Sequence, residues 1–125
     1  KVLVAWNASR EAARAAFDAV PIMKSANEVH VMAIVPKSDS KHNTLSRGDD
    51  LAAALARHSI TVNVSSSFDD ENMSVGDTLL SSTKDNNFDL IVMGCYGHSR
   101  LRESVFGGVS RNIMREMTVP VLMSH

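Results

Sequence analysis

The sequence holds a single cysteine, Cys95, so no disulfide can close within the chain and no paired-cysteine metal site is available. It lacks an excess of charge: 13 Lys and Arg against 14 Asp and Glu leave a formal charge of -1, without the basic footprint of a nucleic-acid binder. No apolar run approaches the roughly 18 to 20 residues that a bilayer requires, which argues against a membrane partner. Internal repeats, low-complexity tracts and a charged-then-apolar leader are also missing. A cytoplasmic protein is expected. Because Lys1 is not Met and Val2 already belongs to a strand pattern, the chain reads as a fragment of a longer protein. What is present is 125 residues, 44% hydrophobic and 22% charged, enough for one folded domain over 1–125.

Val2 to Trp6 (VLVAW) is a short apolar run, as expected of a central strand covered on both faces. Ser9 then caps a predicted helix with Ala13, Ala16, Phe17 and Val20 on its inner stripe and Arg10, Glu11, Arg14 and Asp18 outside. Glu28 to Val35 is a second strand, ended by Pro36, and Pro36 to Ser46 is a polar loop. Leu51, Ala54, Leu55 and His58 share a helical face, and Thr61 to Ser66 is a short strand. Ser74 with Asp77 marks a helix start with Val75, Leu79 and Leu80 buried. Asp89 to Gly94 is a strand, Phe106, Val109, Ile113 and Met117 give helical spacing, and Val119 to Met123 closes the chain. Pro120 puts that last strand at a sheet edge. Strands alternating with helices predict a single-domain α/β fold, an open doubly wound parallel five-stranded sheet with helices on both faces. Ligands in such sheets sit beyond the carboxyl ends of the strands, here the loops after Trp6, Val35 and Gly94.

Gly94-Cys95-Tyr96-Gly97, followed after nine residues by Gly107-Gly108 and Val109-Ser110, is the most informative segment. Glycines after a buried strand let a backbone approach a ligand, and amides at a helix start favour anions. A phosphate cradle fits; so does a tight turn with close helix packing and no ligand. The spacing is neither that of a Walker loop nor that of the dinucleotide fingerprint.

The Asn7-Ala8-Ser9 turn after the first strand, the G-x2-G-x9-G pattern at Gly94, Gly97 and Gly107, and the ending Val109-Ser110 through Val119-Pro120-Val121-Leu122 resemble the universal stress protein (UspA-like) family over essentially the whole chain. The chain is similar especially to the carboxyl-terminal module of bacterial tandem proteins of that family. The resemblance implies an adenine nucleotide alpha hydrolase-like sheet of order 3-2-1-4-5 and ATP, possible with Mg, as cofactor. It places Ala5, Trp6 and Asn7 beside the nucleoside and Ile34 near the adenine. Met93, Gly94, Gly97, Gly107, Gly108, Val109 and Ser110 would surround the phosphates. It also implies a homodimer, or pairing with a tandem module, through the Val119–Met123 edge strand. Two positions depart from the family pattern: Asn7 stands where Asp is usual, and Gly108 where Ser or Thr is usual. A missing hydrogen bond costs about 0.5 to 1.5 kcal/mol, which weakens binding without abolishing it.

His98, Arg100 and Arg102 lie between the glycines, where cations meet a triphosphate or form a solvated loop. Trp6 stacks on a base or belongs to the core. Cys95, without a CxxC partner, and His30, among apolar strand neighbours, read as structural. His42, Asp39 and Asp49 show no metal-ligand spacing, the Met residues read as core filling, and Asp69-Asp70-Glu71 as a solvated turn. No catalytic residue is identified: Lys1, Lys24, Lys37, Lys41 and Lys84 all lie outside the glycine segment, and no nucleophile elbow is present. The expectation is a stress-response module that binds an adenine nucleotide and dimerises. A slow ATPase and an interaction module that needs no nucleotide are the alternatives.

Overall fold

The apolar runs become the most deeply buried strands: β1 (Val2–Trp6), β2 (Val29–Val35) and β4 (Leu90–Gly94). A computed structural model describes residues 1–35, 46–68, 73–95 and 108–125 and adds β3 (Val62–Phe68) and β5 (Val121–Ser124). All pairings are parallel, in the order β3-β2-β1-β4-β5. The expected doubly wound sheet is thus present, with β5 at an edge. That strand starts at Val121, two residues later than Val119, because Pro120 has no N–H for the ladder; its carbonyl accepts from Ile91 N at 3.1 Å, and pairing runs on to Cys95 N and Ser124 O at 2.9 Å.

Alternation along the strands sends side chains to two separate cores. Val2, Val4, Trp6, Val31, Ala33 and Val92 face α1 (Arg10–Asp18), α2 (Val20–Met23) and α3 (Ser46–Ala56). Leu3, Met32 and Met93 face α4 (Val75–Asp85) and α5 (Gly108–Glu116), which contribute Leu79 and Ile113.

Ser9 caps α1 by accepting from Ala12 N at 3.1 Å, and Ser74 caps α4 by accepting from Asp77 N at 3.1 Å, both as expected. The inner stripe of α1 differs from the expected one. Ala12, Ala15, Ala16 and Ala19 are buried, whereas Phe17 is 45% exposed, its ring edge on His58 at 5.9 Å. Only methyl-sized side chains fit there, because the helix backbone lies directly on the sheet. The expected single helix also splits. Val20 belongs to α2, since Pro21 lacks the N–H that would bond Phe17 and its ring crowds that carbonyl. In α3, Leu51 and Leu55 are buried, while His58 lies exposed beyond the helix end. In α5, Ser110 and Ile113 are buried, and Met117, just past the helix, is 47% exposed. Phe106, Asp69-Asp70-Glu71 and the loop from Pro36 to Leu45 lie outside the described residues.

Gly94 fixes how close α1 comes. A Cβ at this position would stand 2.5 Å from Ala12 N and 2.7 Å from the carbonyl carbon of Glu11, both backbone atoms that cannot swing away. Gly94→Ala is expected to lower unfolding free energy by about 2 kcal/mol or more, read from chemical denaturation. A change below about 0.5 kcal/mol would mean that α1 is free to shift.

His30 is the structural histidine expected. Its Nε2 is 2.7 Å from Ser65 Oγ, and its ring packs on Phe88 with centroids 5.7 Å apart. Desolvation holds its pKa below the ordinary 6.5, opposed by the nearby charge of Glu28. The unfolded chain therefore takes up this proton more readily. Stability from the neutral ring is complete above the unfolded pKa and is lost as pH falls through the folded one. Denaturation of wild type and His30→Gln between pH 7.5 and 5.5 is expected to show wild type losing more stability on acidification.

Candidate functional site

β1 is the strand at which the order reverses, paired with β2 on one side and β4 on the other. The pairing of β1 with β4 stops at Val4 and Val92, although β1 continues to Trp6 and β4 to Gly94. Their outer partners stay in register to the end, Trp6 with Ala33 and Gly94 with Ser124. The two central strands therefore part over their last two residues, opening a cleft at the carboxyl edge where ligands of doubly wound sheets bind.

The two sides of that cleft differ. Towards α1 it is closed: Trp6 is 9% exposed and packed in the α1–α3 core, and the first turn of α1 covers Gly94. Towards α5, Ala5, Ile34, Met93 and Val109 belong to one apolar cluster, with Ala5, Ile34 and Val109 half-buried and Met93 buried. The structure thus brings these four predicted residues together and puts Trp6 on the opposite face of the sheet.

The β1–α1 turn satisfies its own donors. Asn7 Oδ1 accepts from Ser9 N at 3.1 Å, and Ser9 Oγ takes Ala12 N. Ala8 between them has φ 60°, the left-handed region that favours glycine. Two amides at the start of α1, those of Ser9 and Ala12, are therefore taken up within the turn itself. Gly108 is different: it is exposed at the first residue of α5, and a Cβ there would meet nothing within 4 Å among the described residues. Ser110, two residues further on in the same first turn, is buried. Gly97, His98, Arg100 and Gly107 lie outside the described residues.

Cys95 is buried, its Sγ 3.4 Å from Ser124 O, and burial pushes the thiol pKa up, away from the reactive thiolate. Among the described residues, no three His, Cys, Asp or Glu side chains stand together as a metal site. Asn7 offers a divalent ion no carboxylate, and its Oδ1 already accepts from Ser9 N.

A second concavity, which sequence reading missed, is a furrow of about 570 Å³ between α4 and α5. Its walls are Asp77, Leu80, Ser81 and Lys84 on α4, and Gly108, Arg111, Asn112 and Arg115 on α5. The signal was the matching i, i+3, i+4, i+7 spacing in both helices, half of it polar and so not legible as a core stripe. Asp77 holds the helices together, its Oδ1 accepting from Asn112 Nδ2 at 2.8 Å and its Oδ2 from Ser74 Oγ at 2.7 Å; these bonds lower its pKa.

The model of the universal stress protein family matches residues 1–125, and the chain belongs to that family. A 39-residue stretch is 44% identical to universal stress protein Slr1230 of Synechocystis sp., covering 31% of this chain and 14% of that relative, so the match spans only a small part of that protein's length. Among solved structures, hypothetical protein MJ0577 superposes with TM-score 0.78 at 19% identity, over 98% of this chain and 93% of its own. A universal stress protein in complex with cAMP gives 0.68 at 17%, over 99% and 95%. The universal stress protein of Archaeoglobus fulgidus in complex with dAMP gives 0.68 at 15%, over 99% and 96%. At these identities the likeness concerns the fold. Among the described residues, no helix is long and apolar enough to cross a membrane.

Proposed function

We propose that this universal stress protein domain binds an adenine nucleotide in the cleft between the ends of β1 and β4 and acts by binding and pairing, not by turnover. The observation that carries this reading is the parting of β1 and β4 beyond Val4 and Val92, which leaves a gap at the switch point of the sheet. Solved family members in complex with cAMP and dAMP support an adenine nucleotide as the occupant. The base lies against Ala5, Ile34 and Met93, an apolar surface suited to a flat aromatic ring, and the phosphates lie at the open start of α5, over Gly108 and Val109. Gly97, His98, Arg100, Gly107 and Ser110 complete the phosphate side in this reading, and Asn7 faces the sugar with its amide. Mg, where present, arrives on the phosphates, because Asn7 gives it no carboxylate.

A reading without nucleotide, as a pairing module, draws on the closure of the cleft towards α1 and the self-satisfied β1–α1 turn. Pairing itself runs through β5, whose four residues are all half-buried at a sheet edge and whose outer side pairs with no other strand among the described residues.

Gly108→Glu separates the two readings. A carboxylate in the first turn of a helix favours the helix, and the site has room, so thermal stability is expected to hold or rise slightly. Phosphate binding at the same place is expected to weaken by about tenfold or more, measured by calorimetric titration of ATP and AMP. Wild-type protein that binds neither would remove the nucleotide reading. Light scattering of the purified domain is expected to return twice the 13.6 kDa of one chain. A mass equal to one chain at tens of micromolar would overturn the pairing.

A further inference from the structure

β3 is the outer neighbour of β2, and parallel partners in register send their side chains to the same face. Met32 lies beside Ser65 and Ile34 beside Ser67, and both Met32 and Ile34 belong to the apolar cluster that includes Ala5 and Met93. Ser65 and Ser67 therefore project on the face of the cleft, and Ser66 on the opposite one. The contact of His30 Nε2 with Ser65 Oγ at 2.7 Å agrees, since His30 packs on Phe88 of the same cluster. That contact also distinguishes the two hydroxyls. Ser65 is taken by His30, which lies towards the amino end of the strands. Ser67, half-buried and level with Ile34 at the carboxyl end, has no hydrogen-bond partner among the described residues.

The strand order decides which end of a nucleotide would meet Ser67. Neighbouring strands stand about 4.8 Å apart, in the sequence β3, β2, β1, β4 across the sheet. Phosphates over the start of α5, the helix that joins β4 to β5, lie on the β4 side, and a ring against Ala5 and Ile34 covers β1 and β2. The edge of the ring remote from the sugar then points towards β3. In adenine that edge carries N1, an acceptor, and the 6-amino group, a donor. Ala5, Ile34 and Met93 are apolar and give it no side-chain hydrogen bond. A serine hydroxyl both donates and accepts, so it suits either atom.

We propose, on the reading that the cleft takes an adenine nucleotide, that Ser67 is the side chain that meets the polar edge of the base. It adds affinity for a base with hydrogen-bonding groups on its six-membered ring and leaves the phosphate side unchanged. The test is calorimetric titration with AMP and with benzimidazole riboside 5′-monophosphate, which keeps the sugar, the phosphate and the flat bicycle but has only C–H groups on that ring. Ser67→Ala is expected to weaken AMP by about threefold to tenfold, the worth of one hydrogen bond, and to change the benzimidazole nucleotide by less than about 1.5-fold. Ser67→Thr retains a hydroxyl and suits a strand, and is expected to bind AMP within about twofold of wild type. Gly108→Glu acts on the phosphates and is expected to weaken both ligands by the same factor. Circular dichroism checks that each variant folds. A Ser67→Ala variant that binds AMP like wild type, or that loses affinity for both ligands equally, would overturn the role of Ser67 and leave the cleft reading standing. Wild type that binds neither ligand would overturn both.

Discussion

The contact that organises this domain is that of the first turn of α1 with Gly94. A helix backbone that touches a strand backbone cannot tolerate a side chain at the crossing, and Ala12 N would meet a Cβ at 2.5 Å. That closeness explains why α1 presents three alanines to the sheet, with a fourth at its cap, and turns Phe17 outward. Further along, Arg14 donates to His125 O at 3.1 Å, and Ser124 donates to Asp18 at 2.8 Å, so the same helix holds down the end of β5. One small residue at the end of β4 thereby sets the position of α1, the sheet edge and one wall of the cleft.

The cleft inherits its asymmetry from that contact. With α1 seated on one face, an occupant of the gap between β1 and β4 would enter from the face that α4 and α5 cover. The walls there are apolar in Ala5, Ile34 and Met93, and the polar contribution falls to the start of α5. A flat, largely apolar ring with an anionic tail matches such a division. The glycines consequently divide their work: Gly94 admits a helix, and Gly108 leaves space open.

The α4 and α5 pair supplies a second kind of surface. Its helices meet through Asn112, Asp77 and Ser74, a polar lock whose bonds to the Asp77 carboxylate hold its pKa low and keep it ionised. Gly108 lies at one end of the furrow and also at the proposed phosphate end of the cleft, so an occupant of either would bear on the start of α5.

Strand runs such as VLVAW and LIVMG, the Ser9 and Ser74 caps and the edge role of Pro120 were legible in the sequence, because each depends on local chemistry: β-branched and apolar side chains, a hydroxyl that takes an amide, a ring without an N–H. The family pattern was legible for the same reason, being written in glycines and turns. The sequence alone could not tell whether Gly94 faces a ligand or a helix, since both demand the same absent Cβ. Nor could it assign Trp6 to the closed face of the sheet, turn Phe17 outward, end α1 before Val20, or bring Asn112 onto Asp77, 35 positions earlier in the chain. Those were decided by tertiary packing, where the distance between two backbones determines which side chains fit and which charges meet.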